Sequence, residues 1–442
     1  MSREKMLKSI SSIALLVLIY LMGHFFYAFE LFPQKFVFRA KTALLELVQK
    51  KEKPDYSNLV INKHWFFPFH FAVAEYNQGK SGLTPDSSVF GDGYVVYSSA
   101  ESGTINFLDA KGMVCNSVKL PDKLMVSNLS PFDAIALDDG SVVAVYVREG
   151  EQVQGHSMAR IDSNGIVWRS TLSFHHNVSL GEDGNLYALT QEMVHKEDVD
   201  PVYPMLTDTV IIIDTDGNVL ESIDLWDAFI NSEYKSWLYK YVQERYISSP
   251  DKIIRATSPR DIFHANAVQY IGAETALNNP YLEKGDLAVT LREMNAIAIL
   301  DKDSRKVKDV IVGPWNFPHD GEFTPDGMLW IFDNRWGHTR SRVIEYDIRN
   351  RTIVSQIPGD TDLWFYSLWS SMQQKLENGN VLLSVSNEGR LLVVDGNNSV
   401  VWEWVNPEQV EKEGTRYVSR IGGGRYYNRS YFQEGFLRQI EQ

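Results

Sequence analysis

Three histidines stand at one equivalent position of a repeated pattern. His176 lies eight residues before Gly184, His319 eight before Gly327 and His264 eight before Gly272. Phe132 and Ser371 hold the same place before Gly140 and Gly379. An imidazole can attack as a nucleophile, carry a proton near neutral pH or bind a metal. Three of only ten histidines in one register is a stronger signal than any of them singly. Asn266 follows His264 by two residues and shares its strand face under strict alternation. Arg292, in LREMNAI, ends the strand paired with this one and supplies a fixed cation. The same alternation turns Glu293, Asp320 and His175 to the opposite faces. Histidines, an amide and a guanidinium together suit a tetrahedral oxyanion such as sulfate or phosphate. Metal ligation by the three histidines is the alternative, against which the adjacent arginine and the lack of a nearby carboxylate weigh.

The elements that must position these residues form an internal repeat. An apolar strand, a turn of Asp, Gly, Asn or Lys, and a second apolar strand recur six times, as in ARIDSNGIVW (159–168) and LVVDGNNSVVWEW (392–404). Such hairpins have turn-forming centres. The turn aspartates Asp109, Asp162 and Asp214 are 53 and 52 residues apart, and Asp301, Asp347 and Asp395 are 46 and 48 apart. A second strand pair follows each hairpin, as in HNVSLGEDGNLYAL (176–189) and HDGEFTPDGMLWIF (319–332). Four strands in about 45–55 residues make a propeller blade, so the expected fold is all-β, a six-bladed β-propeller. Residues 91–109 start blade 1, and 417–427 return to complete a blade with the N-terminal strands. The histidine register falls on the innermost strands, where radial symmetry makes His176, His264 and His319 converge on the axis. The 87-residue gap from Asp214 to Asp301 holds an insertion at about 225–258, whose opening has the apolar spacing of helix.

The rest of the chain bounds the function. The 442 residues carry a net charge of −14, a surface that repels nucleic-acid phosphates. Its single cysteine, Cys115, forms no intramolecular disulfide and supports no Cys-based metal site. Residues 13–32 are about the length of a membrane-spanning helix and follow Arg3, Lys5 and Lys8, with no small-residue cleavage site after them. The expected organisation is a cytoplasmic N-terminus (1–12), a single-pass transmembrane signal anchor (13–32), a juxtamembrane helix or linker (33–56) and the propeller (57–442). The early basic residues favour an inner-membrane anchor with the body facing the periplasm.

The pieces SFHHNVSLGEDGNLYAL, DIFHANAVQYIG, LAVTLREMNAIAILD and FPHDGEFTPDGMLWIFDN, in that order, resemble the bacterial arylsulfate sulfotransferase family, the PAPS-independent arylsulfotransferases. The resemblance runs over roughly 80–427 and is weakest in blade 1 and the insertion. It implies an aryl sulfate donor, a phenolic or other hydroxyl acceptor, and ping-pong transfer through a sulfohistidine with no cofactor. By motif, His319 is then the nucleophile, His264, Asn266 and Arg292 bind and polarise the sulfuryl oxygens, and His176 protonates the leaving phenolate. Trp315, Trp336, Tyr366 and Trp364 lie near the ring in sequence and are candidates to stack on an aryl group. Other members carry a disulfide that one cysteine forbids, and Glu293 stands where a neutral or basic residue is expected. The other readings are a non-catalytic propeller binding an envelope partner and a sulfate-ester hydrolase.

Overall fold

In the computed structural model, the described residues are 71–73, 89, 91–100, 102–121, 131–147, 156–194, 196, 205–243, 261–359, 363–412 and 415–441. The expected anchor and juxtamembrane segment, 13–56, lie outside them. Among the described residues, no helix is long and apolar enough to cross a membrane.

Aspartate builds the repeated turns. Asp109, Asp214 and Asp395 each turn one carboxylate oxygen back to accept two backbone N–H groups, two and four residues on, at 2.8–3.0 Å. This local bond mimics a backbone turn and explains why Asp recurs at the hairpin centres. The strands on either side are rich in Val, Ile and Leu and are buried along their length, as in VLLSV and RLLVV of 381–385 and 390–394. Buried on both faces, they read as continuous apolar runs.

Six antiparallel blades result, each of four strands. Blade 1 comprises Ile421–Tyr427, Tyr94–Ser99, Thr104–Asp109 and Val114–Lys119. Blade 2 comprises Asp133–Ala136, Val142–Val147, His156–Asp162 and Gly165–Arg169. Blade 3 runs from Phe174–Leu180 through Leu186–Val194 and Met205–Ile213 to Val219–Asp224. Blade 4 runs from Ala265–Tyr270 through Leu287–Leu291 and Ala296–Asp301 to Lys306–Val312. Blade 5 runs from Pro318–Phe323 through Leu329–Asp333 and Arg342–Asp347 to Thr352–Ile357. Blade 6 runs from Met372–Lys375 through Val381–Val385 and Arg390–Val394 to Val400–Val405. The first-named strand of every blade touches that of the next, and the sixth touches the first, so the ring is closed. Six apolar clusters hold it, one at each junction between neighbouring blades. Trp402 is wholly buried at the junction of blades 6 and 1, and truncating it to alanine costs about 3–5 kcal/mol.

The closing strand binds its neighbours tightly. Arg425 grips Asp133 of blade 2 with two nitrogens, at 2.9 and 3.2 Å. Gly422 passes so close to the Phe132 carbonyl that a Cβ there would overlap it. The insertion is partly described: helices Leu225–Ile230 and Lys235–Val242 bury Trp226, Phe229 and Leu238 in the junction of blades 3 and 4. That portion is packing, and 244–258 lies outside the described residues. A further helix, Ala273–Asn278, interrupts the first hairpin of blade 4.

Candidate active site

The innermost strands of blades 3, 4 and 5 are bulged where the histidines sit. Pairing shifts register between His175 and Val178, between Ala265 and Ala267, and between His319 and Glu322. His176 and His264 take φ of 58° and 43°, and Asp320 takes 48°. Non-glycine residues in this left-handed region cost of order 1–3 kcal/mol each, and such bulges re-aim side chains. Here they bring His176, His264 and His319 together. The rings of His176 and His264 lie 4.8 Å apart, with Nε2 to Nε2 at 3.2 Å. His319 lies 6.4 Å from His176, centroid to centroid.

His319 is held by Asn334, which follows the second strand of blade 5. The amide nitrogen of Asn334 donates to the carbonyls of Ser367 and Ser370, at 2.8 and 3.0 Å. Its Oδ1 therefore faces His319 Nδ1, at 2.6 Å, and must accept. The proton of neutral His319 is thereby placed on Nδ1 and the lone pair on Nε2. Burial, with the nearby Arg292 charge, pushes the His319 pKa down to about 3. His319 is thus an unprotonated imidazole at neutral pH, the form a nucleophile requires.

Arg292 is buried, its guanidinium centre 5.4 Å over the Phe317 ring. Phe317 in turn stacks on the half-exposed Trp336 at 5.3 Å. Glu293 is not turned away: its Oε1 pairs with Arg292 Nη2 at 2.7 Å. The two residues lie in the turn that follows the strand, where alternation no longer applies. His175 departs from alternation for a different reason, the adjacent bulge. It meets His176 Nδ1 to Nδ1 at 2.6 Å, and its Nε2 lies 2.9 Å from Asp208 Oδ1 of the third strand of blade 3. That contact is close but bent, since neither atom has a well-aligned hydrogen bond among the described residues. Asp261 joins His264 Nδ1 through a very short contact and accepts from the backbone N–H of His264 at 3.0 Å. Carboxylates therefore do stand beside the histidines, contrary to the expectation from sequence. They are spent on ring nitrogens, and among the described residues no group of acidic, histidine and cysteine side chains is arranged to hold a metal.

A small cavity of about 60 Å³, open at its mouth, lies on the axis. His176, Asn266, His319, Asp320 and Arg420 line it, with Phe132 edge-on to the His176 ring at 5.3 Å. Asn266 commits one N–H to the Pro318 carbonyl at 2.9 Å, while its Oδ1 is buried with no hydrogen-bond partner among the described residues. Of the residues singled out in the sequence, His264, Arg292, Trp315, Trp336 and Tyr366 do not line this cavity. Trp315 is packed between blades 4 and 5 and donates to the Asn295 carbonyl at 2.8 Å. Tyr366 is buried against Trp364. Sequence proximity to the ring did not bring them to the axis because both precede the strands that reach it. Asp208, Asp261 and Asn334 were missed, since they lie off the histidine register.

Comparison with known proteins agrees with this picture. The family model described as Arylsulfotransferase (ASST) matches residues 134–407, more than half of the chain. No curated protein matches it. Among solved structures, a protein of unknown function from Bacteroides caccae aligns over 75% of this chain and 98% of its own, at 12% identity and a TM-score of 0.47. A virginiamycin B lyase from Staphylococcus aureus aligns over 78% and 97%, at 12% identity and a TM-score of 0.39. Likenesses this distant carry no functional argument. The match over residues 134–407 does: the chain belongs to the arylsulfotransferase (ASST) family.

Proposed function

We propose that this protein moves a sulfuryl group from an aryl sulfate ester to a phenolic or other hydroxyl acceptor, without a nucleotide sulfate, through a sulfohistidine at His319. The observation that carries the reading is the bond from His319 Nδ1 to Asn334 Oδ1 at 2.6 Å, which leaves Nε2 as the attacking atom. In the first half-reaction Nε2 bonds to sulfur while the bond from sulfur to the aryl oxygen breaks. The aryl oxygen keeps the electron pair and takes a proton from the imidazole at His176. In the second, the acceptor oxygen bonds to sulfur, the bond from sulfur to Nε2 breaks, and the acceptor's proton returns to His176. Charge spreads over the peripheral sulfuryl oxygens during transfer, and a fixed cation such as Arg292 stabilises it. His264 and Asn266 complete the polar surround. The Trp336–Phe317 stack offers a surface for the aryl ring beside Arg292.

The anchor reading of 13–32 joins this proposal: the propeller works on the periplasmic face of the inner membrane. Protease added to spheroplasts should then degrade the propeller, and full protection there would reverse the orientation.

The test of the transferase uses the full chain in detergent. Incubated with an aryl sulfate and no acceptor, His319 should gain one sulfuryl group by peptide mass mapping, and added phenol should discharge it. His319→Asn should gain none. Ester cleavage with water as acceptor and no adduct would point to a hydrolase instead.

A further inference from the structure

Behind His319 runs a line of three imidazoles with a carboxylate at each end. Asp208 Oδ1 meets His175 Nε2 at 2.9 Å, and His175 Nδ1 meets His176 Nδ1 at 2.6 Å. His176 Nε2 meets His264 Nε2 at 3.2 Å, and His264 Nδ1 meets Asp261 Oδ2. All five side chains are buried, His175, Asp208 and Asp261 completely. Every ring nitrogen of the three histidines faces another atom of the line, the His175–Asp208 contact being the bent one, so the count of protons is constrained.

We propose that Asp208, His175, His176, His264 and Asp261 form a proton-storing chain, which gives the leaving group its proton and takes one back from the acceptor. The proposal rests on the sulfotransferase reading and deepens it. His176, which lines the cavity, is the catalytic member and gives up its proton from Nε2 by opening the 3.2 Å contact to His264; His175, Asp208 and Asp261 are positioning residues that act through it.

Bridging all four contacts takes four protons, one each, because every contact joins two atoms with lone pairs; the bent His175–Asp208 contact must straighten to hold its own. Three neutral imidazoles supply three. The fourth comes from one added proton, held on a carboxyl at either end or shared as an imidazolium. Starting with the proton on Asp208, each imidazole donates toward Asp261; starting with it on Asp261, each donates toward Asp208. The two arrangements differ only by a concerted shift of protons along the line. When the fourth proton leaves, two bare nitrogens must face each other somewhere. The longest of the nitrogen–nitrogen contacts, between His176 and His264, tolerates this best, and it includes the ring that faces the cavity.

The balance then closes without solvent. The aryl sulfate anion and neutral His319 become a phenol and a sulfoimidazolium bearing no net charge, and the line becomes one unit more negative. Discharge to a hydroxyl acceptor reverses each change. The groups facing the line fit this traffic. Arg292 stands near Asp261, His264 and His319 and disfavours permanent imidazolium, while Glu293 partly offsets it. Burial pushes the Asp208 and Asp261 carboxyls up to about 6, so that either can hold a proton near neutrality.

Two experiments test the chain, from opposite ends to guard against one variant failing to fold. In the full chain labelled with ¹⁵N-histidine, Asp208→Asn should move the ring-nitrogen signals of His264, two imidazoles away, and Asp261→Asn those of His175. Changes confined to the adjacent ring would overturn the proposal. In the burst of phenol release, both variants should slow phenyl sulfate by about 100-fold or more, the usual weight of general acid catalysis. A nitrophenyl sulfate, whose anion leaves without a proton, should slow only a few-fold. Equal loss on both esters would reduce the two carboxylates to structural parts. A wild-type chain that forms no His319 adduct with either ester would instead sink the sulfotransferase reading, and the nitrogen signals would then decide the chain alone.

Discussion

Asn334 accepts a hydrogen bond from His319 at 2.6 Å, and that bond leaves the lone pair of the neutral ring on Nε2. Replacing Asn334 with Asp keeps an acceptor but adds a charge that favours imidazolium, so the His319 pKa should climb from about 3. Sulfuryl adduct formation in Asn334→Asp should therefore fall as pH falls through the mildly acid range, where the wild type stays active. Rapid-quench adduct yields across pH check this. A variant profile parallel to the wild type would remove Asn334 from control of the nucleophile.

Glu293 touches Arg292 at 2.7 Å and offsets the charge that a sulfuryl group would meet. Glu293→Gln should lower KM for the aryl sulfate several-fold. Arg292→Ala should lower kcat by about 10²–10³-fold, the cost of losing one fixed donor to developing charge. Steady-state kinetics on the two variants separates these effects. Unchanged KM in Glu293→Gln would mean that Arg292 meets the substrate with its other nitrogens.

Glu322 lies on the innermost strand of blade 5, and burial followed by the Asp320 charge pushes its carboxyl up from 4.5. A carboxyl raised on folding adds stability that is full below its unfolded value and is lost as pH rises through the raised one. The buried histidines His176, His264 and His319 have lowered pKa values and do the opposite. Their contribution is present above about 6.5 and fades as pH falls. The denaturation midpoint should thus peak between these limits, and Glu322→Gln should flatten its alkaline side. Urea titrations from about pH 5 to about pH 9 test it, and an alkaline loss equal to that of the wild type would exonerate Glu322.

Gly422 leaves no room for a Cβ against the Phe132 carbonyl. Gly422→Ala should cost about 1–3 kcal/mol, as overpacking does. Because Phe132 also rests on His176, adduct formation should slow in the folded fraction. A denaturation midpoint equal to the wild type's would show that the closing strand relaxes freely.

The blade count was legible because each turn repeats an aspartate whose side chain closes it. The histidine register was legible because Gly184 and Gly327 do sit at positive φ, 79° and 80°, in equivalent hairpins. Gly272 is different: it precedes the helix Ala273–Asn278, and the positive-φ glycine of that hairpin is Gly285. His264 joined the ring through the likeness of HANAV to HNVSL, not through its glycine. The faces of His175 and Asp320 were misread because alternation fails at a bulge, and a bulge leaves no mark in these sequences. Asp208 and Asp261 reach the histidines from a third strand and from a preceding loop, distances that no local spacing encodes.

The first blade is completed by the last strand: Ser98 reaches Gly422 across 324 positions of chain. A chain emerging from its N-terminus therefore cannot close the ring until Ile421–Tyr427 is free, and joining segments so remote is slow. Nascent or C-terminally clipped molecules would hold five blades with an open seam, and histidines with nothing to hold them in register. The geometry of the histidine ring is thus acquired in one late step, when Ile421–Tyr427 takes its place beside Tyr94–Ser99.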